Sequence, residues 1–382
     1  MHYAIVTETW PPEVNGVALT VQALADGLRA RGHALSIVRP RRFAGEVAAA
    51  DETLVPGMPL PRYPGLRFGL PAGRRLQALW RRARPDAIYI ATEGPLGWSA
   101  LRAARRLGIA TATGFHTRFD RYMRDYGVGL LEPLVLRGMR RFHNRADATL
   151  VPTRELRDDL AAHGFGNVRQ LARAVDTTAF SPRHRDPALR EAWGVGERGV
   201  AVIHVGRIAA EKNLRLAVRS FRALEQLQPD ARFVLVGDGP ERERLALENP
   251  DFHFCGVQRG EALARHFASA DLFVFPSTSE TFGNVTLEAL ASGVPTVAFG
   301  YGAAREHLRH GIDGASVATG DEAGFIRACA RIGSEPLMRA AMARSAPGAV
   351  AGLQPARVAA DFDAILAQLH EQRRTHGTIA IA

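Results

Sequence analysis

The chain is almost without lysine: of its 49 basic residues 48 are arginine, and Lys212 stands alone. Arginine evidently serves wherever a generic surface cation will do. A single surviving lysine therefore marks either chance or a position where a compact ammonium is wanted and a planar guanidinium is not. Cysteine is nearly absent too. Cys255 and Cys329 lie in apolar segments, exclude a disulfide framework and read as small core residues of a reduced compartment. No apolar run reaches the roughly 18 residues a membrane span needs. The first ten residues lack a basic region and carry Glu8 inside their apolar run, so a signal peptide is not expected. These absences predict a cytoplasmic protein, at most peripheral on the inner face of the cell membrane. Zinc-finger spacings and aromatic RNA-binding motifs are missing as well, which weakens a nucleic-acid-binding reading of the +10 net charge.

The 382 residues, 46% hydrophobic and 23% charged, exceed the ~250–300 at which single cores stop growing, so two domains are expected. The charge is uneven. Residues 1–180 hold 26 arginines against 16 acidic residues, whereas the remainder balances at 23 of each. The N-terminal half is the one expected to face an anionic partner.

Short β-rich runs alternate with longer helical patterns, the signature of a parallel α/β architecture. The first strand series is predicted at 3–7, 34–38, 87–91, 109–113 and 148–151, the second at 200–205, 232–236, 252–255, 272–275 and 296–299. The polar stretch 176–198 reads as a linker. A break carrying Pro347, Gly348, Gly352 and Pro355 precedes a last helix. The boundaries expected are residues 1–178 plus the helix 356–374 for an N-terminal domain and 179–350 for a C-terminal one. Ligands of doubly wound sheets sit outside the carboxyl ends of the strands, so the loops there are where chemistry is sought.

Three clusters fall at such ends in the second half. Gly206 and Arg207 follow a strand, and Lys212 lies five residues beyond Arg207; two cations so spaced can close on a diphosphate from two sides. A solvated loop before an ordinary helix is the plainer alternative. The run Ser277 to Glu288 follows another strand and opens a helix. The amides of Gly283, Asn284 and Val285 would head that helix as an anion site, with Phe282 just before them. Glu288, a turn further in, can accept from ribose hydroxyls, and Glu280 from a sugar beyond the phosphate. A favourable helix dipole alone would account for Glu288 but poorly for Glu280. Gly237, in a Gly-Asp-Gly turn, and Val257 follow two further strands, where a base could lie. In the first half Gly16 ends the run from Pro11 at the start of a helix. His116 follows a strand, with Arg118 and Asp120 beside it.

Gly206-Arg207 with Lys212-Asn213, and Glu280 with Glu288 seven residues between, resemble the retaining glycosyltransferases of family 4. The likeness runs over nearly the whole chain. It includes Pro12 to Val17, His116 to Phe119, Phe142 to Asp147 and Val151 to Thr153. The last three segments are most similar to bacterial GDP-mannose-dependent α-mannosyltransferases and sulfoquinovosyl-diacylglycerol-type synthases. The resemblance implies the GT-B fold: α/β, two doubly wound Rossmann-like domains facing across a cleft, the C-terminal helix crossing back to the N-terminal domain. It further implies that Arg207 and Lys212 neutralise the donor diphosphate, that Glu288 holds the ribose and Glu280 the hexose, and that His116 approaches the reacting centre. Gly16 and the Gly283–Val285 amides would touch phosphate or sugar. One departure stands out. The family has Gly before its Val-Asp pair, where this chain has Ala174 after Arg173. A positive φ there would strain Ala174.

The expected activity is retaining, metal-independent transfer of a hexose, best mannose from GDP-mannose, to a lipid or glycan acceptor. No cofactor is expected beyond the GDP- or UDP-linked sugar, and the one Asp-x-Asp, Asp361-Phe362-Asp363, lies far from any phosphate loop. A UDP-sugar glycolipid synthase and a sugar-nucleotide 2-epimerase are the alternatives within the fold, and a basic nucleic-acid-binding protein is the alternative outside it. A phosphorylase-like enzyme would need a second lysine for pyridoxal phosphate. Finally, Arg74, Arg75, Trp80 and Arg81 belong to a short basic amphipathic segment that could lie on anionic lipid or be an ordinary surface helix.

Overall fold

The computed structural model describes residues 1–13, 16–59, 67–116, 132–196 and 199–379. The chain divides into two compact units, Met1–Ala174 with Pro355–Ala382, and Val175–Gln354.

Unit 1 is built on strands β1 (His2–Val6), β2 (Ala34–Pro40), β3 (Glu52–Val55), a small antiparallel pair β4 (Gly57–Pro59) and β5 (Arg67–Gly69), then β6 (Ala87–Ile90), β7 (Ala110–Gly114), β8 (Ala148–Val151) and β9 (Val168–Gln170). Seven of these form one parallel sheet in the order β3-β2-β1-β6-β7-β8-β9. Its helices are α1 (Gly16–Ala30), α2 (Gly73–Arg82), α3 (Pro95–Arg106), α4 (Glu132–His143) and α5 (Arg154–Ala162). The central strands β6 and β7 are buried at every residue, as a parallel sheet covered on both faces requires. Thr153 stops β8 and starts α5 by accepting the Leu156 amide at 3.1 Å, a side-chain cap for an otherwise orphaned donor.

Unit 2 repeats the plan with β10 (Ala201–Val205), β11 (Arg232–Val236), β12 (His253–Phe254), β13 (Leu272–Phe275), β14 (Thr296–Phe299) and β15 (Gly314–Val317), ordered β12-β11-β10-β13-β14-β15. All neighbours are parallel. Helices α6 (Pro187–Ala192), α7 (Leu214–Glu225), α8 (Arg242–Glu248), α9 (Gly260–Ser269), α10 (Asn284–Ala291), α11 (Gly302–His307), α12 (Glu322–Ser334) and α13 (Pro336–Val350) surround it. The strand order reverses between β1 and β6 in one sheet and between β10 and β13 in the other; at such switch points doubly wound sheets open a crevice at their carboxyl edge.

The polar stretch 176–198 is not a free linker. Asp186 caps α6 by accepting the amides of Ala188 and Leu189 at 2.9 and 3.3 Å, and Trp193 is buried in the core of unit 2. Nor does Pro347 break the chain where the sequence suggested: α13 runs through it to Val350. The last helix, α14 (Pro355–Ile379), packs on α1, β6 and β7 of unit 1. Val358, Phe362, Leu366 and Leu369 enter that core, and Gly27 of α1 makes the approach possible, since a Cβ there would lie 2.3 Å from the Cβ of Ala359. One acid of the Asp-x-Asp serves this docking. Asp363 accepts from the Tyr3 hydroxyl at 2.8 Å and from Arg31 Nε at 3.0 Å.

The basic helix α2 corrects one expectation. Trp80, offered as a membrane or acceptor contact, is 1% exposed and packs with Leu76 in the core beneath the sheet. The apolar stripe of this helix is satisfied by its own domain, which leaves the outward Arg74, Arg75 and Arg81 as the exposed residues. Among the described residues no helix is long and apolar enough to cross a membrane.

Candidate active site

In unit 2 the loops leaving β10, β11 and β12 lie side by side. The Gly206 amide donates to Val236 O at 3.0 Å and the Gly237 amide to Gly256 O at 2.8 Å. Gly237 has φ +138°, and a Cβ on it would meet Gly206 O at 1.9 Å, so this close stacking of backbones demands glycine. Val257, next in line, is 55% exposed, a free apolar surface at the same edge.

The loop after β10 turns through a single 3-10 turn, Ala210–Lys212, into Asn213 with φ +53°. Asn213 Nδ2 donates to Pro276 O at 3.4 Å and Ser279 Oγ to Glu211 O at 3.2 Å, stitching this loop to the one after β13. The second loop is pinned in turn by Tyr301. Its hydroxyl donates to Ser277 O at 2.7 Å and accepts the Glu280 amide at 3.2 Å. Lys212 Nζ thereby reaches Glu280 Oε1, which also accepts from Ser277 Oγ at 3.1 Å. The side chains of the pair are 16% and 22% exposed: half-sheltered, and open to a ligand. Arg207 stands outward from the same loop, with only a 3.4 Å contact to Glu211.

Gly283, at φ +90°, is the N-cap of α10, so Asn284 and Val285 occupy its first turn. Phe282 has no ring to offer a ligand. It is 6% exposed and packed in the core, while its carbonyl accepts the Ala303 amide at 2.7 Å. Glu288 lies in α10 with Oε2 sealed from solvent and without a hydrogen-bond partner. Desolvation pushes its carboxyl up to about 7. An acid held near neutrality with an orphaned oxygen is costly to keep. In β10, His204 donates Nδ1–H to Val274 O at 3.1 Å, and burial holds its ring neutral, down to about 4.

In unit 1 Gly16 is the first residue of α1; Asn15 before it, and Arg118 and Asp120 after His116, lie outside the described residues. His116 itself follows β7. Arg173 Nη2 is 2.6 Å from its Nδ1 and the Tyr89 hydroxyl 2.7 Å from its Nε2. Burial, and then the charge of Arg173, drive its pKa well below the usual value. Among the described residues Asn213 is the one non-glycine with positive φ, so Ala174 carries no such strain. Two acids flank the switch point of this sheet. Glu8 accepts the Leu96 amide at the head of α3 at 3.2 Å, and burial raises it to about 7. Glu93 Oε1 is 3.1 Å from Nε2 of the buried His143.

Sequence reasoning missed Tyr89, Glu8, Glu93, Tyr301 and His204. Glu8 and Glu93 were findable, each directly beyond a strand, as His116 is. Tyr89 and Tyr301 were not, because each acts through a loop far away in the chain.

Both units are doubly wound and gather charged and polar side chains at the carboxyl edges of their sheets. The pattern described as Glycosyltransferase Family 4 matches residues 14–179, and that described as Glycosyl transferases group 1 matches residues 199–335. A GDP-mannose-dependent alpha-mannosyltransferase of Mycolicibacterium smegmatis is 37% identical over 80% of this chain and 81% of its own. An alpha-monoglucosyldiacylglycerol synthase of Streptococcus pneumoniae is 26% identical over 78% and 71%. Among solved structures, the sucrose-phosphate synthase of Thermosynechococcus elongatus superposes with a TM-score of 0.76 at 18% identity, covering 97% of this chain and 99% of that one. The chain belongs to the glycosyltransferases of family 4 and has their GT-B fold.

Proposed function

We propose that this glycosyltransferase moves mannose from GDP-mannose, with retention and without a metal ion, to a lipid acceptor. Unit 2 takes the donor and unit 1 the acceptor. The observation that carries the donor side is the Lys212–Glu280 pair, set between two stitched loops with Arg207 beside it. Lys212 and Arg207 neutralise the diphosphate and stabilise the charge that grows on it as the C1–oxygen bond breaks, the part a divalent ion would otherwise play. Glu280 accepts from hexose hydroxyls. Glu288 accepts from the ribose, while the first-turn amides of α10 face the phosphates. The acceptor hydroxyl forms the new bond to C1 and passes its proton to the departing phosphate oxygen, so atoms and charge balance without a further reagent.

Mannose is favoured by the mannosyltransferase name of the 37% identical relative, and a lipid acceptor by the diacylglycerol in the name of the 26% identical one. The base would lie against Gly237 and Val257. The arginines of α2 supply a positive face for anionic lipid at the membrane surface. A thermal-shift screen of GDP-mannose, UDP-glucose, UDP-glucuronate and UDP-sulfoquinovose, followed by transfer assays in excess EDTA, tests the reading. Stabilisation by GDP-mannose and full activity in EDTA are expected. A UDP sugar as the stabilising ligand would replace the donor, and a strict Mg²⁺ requirement would sink the metal-free mechanism.

A further inference from the structure

The hydrogen bonds around His116 have only one consistent proton assignment. A guanidinium can only donate, so Arg173 Nη2, at 2.6 Å, must meet a lone pair on Nδ1. The ring, kept neutral by its surroundings, then carries its proton on Nε2 and donates it to the Tyr89 oxygen at 2.7 Å. Both ring nitrogens are used, so the imidazole has no free nitrogen with which to act as a base. The arrangement is also tightly specified. Gly114 sits against it, and a Cβ at that position would lie 2.2 Å from the Tyr89 hydroxyl and 2.4 Å from His116 Nε2.

What this machinery holds is the arginine. An enclosed guanidinium ordinarily has a carboxylate for a partner, because the cost of desolvating it is otherwise unreturned. Among the described residues none pairs with Arg173. Its hydrogen bond there is to the neutral imidazole, and burial lowers its pKa with only Tyr89 acting in the other direction. Among the described residues no carboxylate therefore balances this positive charge at the carboxyl edge of the unit 1 sheet, in the half of the chain that holds the whole positive excess.

We propose that Arg173 is an anion-binding residue, held by the His116–Tyr89 dyad so that its remaining N–H groups receive a phosphate-type oxygen of a substrate. The planar fork suits a phosphate or diphosphate. That oxygen comes either from the donor diphosphate or from a phosphorylated group on the acceptor. The inference rests on the reading of unit 1 as part of the substrate site.

The test measures binding of three probes to the full chain by equilibrium dialysis: inorganic pyrophosphate, glycerol 1-phosphate and GDP. The first two are measured on a Lys212→Ala background, so that unit 2 does not mask unit 1. Arg173→Gln is expected to weaken pyrophosphate by about tenfold or more, the scale of losing a charge-assisted hydrogen bond. A parallel loss for GDP assigns the oxygen to the donor; a loss for glycerol 1-phosphate with GDP unchanged assigns it to the acceptor. Arg173→Lys, which keeps the charge, is expected to retain most of the binding and serves if the Gln variant does not fold. Affinities for all three probes within twofold of the parent in both variants overturn the proposal. Because pyrophosphate needs neither donor nor acceptor to be identified, a wrong sugar nucleotide would leave this result standing.

Discussion

In unit 2 the cation at the strand ends, Lys212, is already paired with the carboxylate of Glu280, whereas in unit 1 the cation at the strand ends, Arg173, has a neutral imidazole for a partner. The first arrangement is self-compensated. On the proposed function, a ligand must offer Glu280 hydroxyls and Lys212 phosphate oxygens together before the two part company, which favours a molecule carrying both over free phosphate. The second has no carboxylate partner among the described residues, and on the proposal above it meets an anion with its charge in place. If both proposals hold, one sheet edge selects by exchange and the other by attraction. The physical difference is where desolvation is balanced: inside the protein in one case, by the ligand in the other.

The sharpest way to break the exchange is Lys212→Ala, expected to lower turnover about 10²-fold or more, the effect of removing one charge-stabilising group. Glu280→Gln keeps the shape but removes the internal counter-ion. It is expected to weaken sugar-nucleotide binding more than GDP binding, and titration of both ligands checks this. On the other edge, Gly114→Ala drives a methyl into the Tyr89–His116 bond. Overpacking of this kind costs about 1–3 kcal/mol, to be seen as a lower denaturation midpoint together with lost transfer activity.

Glu288 gives a pH test that unit 2 alone should answer. Its value of about 7 lies above the ordinary 4.5, so the folded chain holds the proton more tightly than the unfolded one. The stability this group contributes is full below about pH 4.5, drains away as pH rises to about 7 and is gone beyond. Glu288→Gln is expected to flatten that slope and to exceed the parent in stability at pH 8 by about 2–3 kcal/mol. Urea melts of both proteins across pH 4–8 decide it, and parallel curves would count against the buried acid. The smallest effect concerns α2. Replacing any one of Arg74, Arg75 and Arg81 by Gln should weaken binding to phosphatidylglycerol vesicles several-fold, at about 1 kcal/mol for one arginine near the surface, while Trp80→Ala should cost stability instead, about 3–5 kcal/mol. Co-sedimentation and melting separate the two.

Much of the unit 2 edge was legible because its pieces are contiguous. Gly206 to Asn213 and Ser277 to Glu288 each follow a strand and open a helical turn, so the loop chemistry and its place on the sheet are written in one run of residues. The amphipathic pattern of α2 was equally plain, yet it says only that one face must be covered, and the first domain covers it. The polar composition of 176–198 suggested a linker for the same reason: capping by Asp186 and burial of Trp193 depend on what lies opposite.

The sequence by itself determined the alternation of strand and helix, the two doubly wound units, the family and the place of the candidate loops at strand ends, because each rests on periodicity or on spacing within a few residues. The tertiary structure decided that Lys212 meets Glu280, that Glu288 is sealed with an orphaned oxygen, and that Tyr89, His116 and Arg173 form one hydrogen-bonded line. These are contacts between distant positions, and burial sets their charge states. The lone lysine was conspicuous from the first reading; Arg173, one of 48 arginines, stood out in sequence only by its place before Ala174, and its pairing with a neutral imidazole came from its neighbours in space.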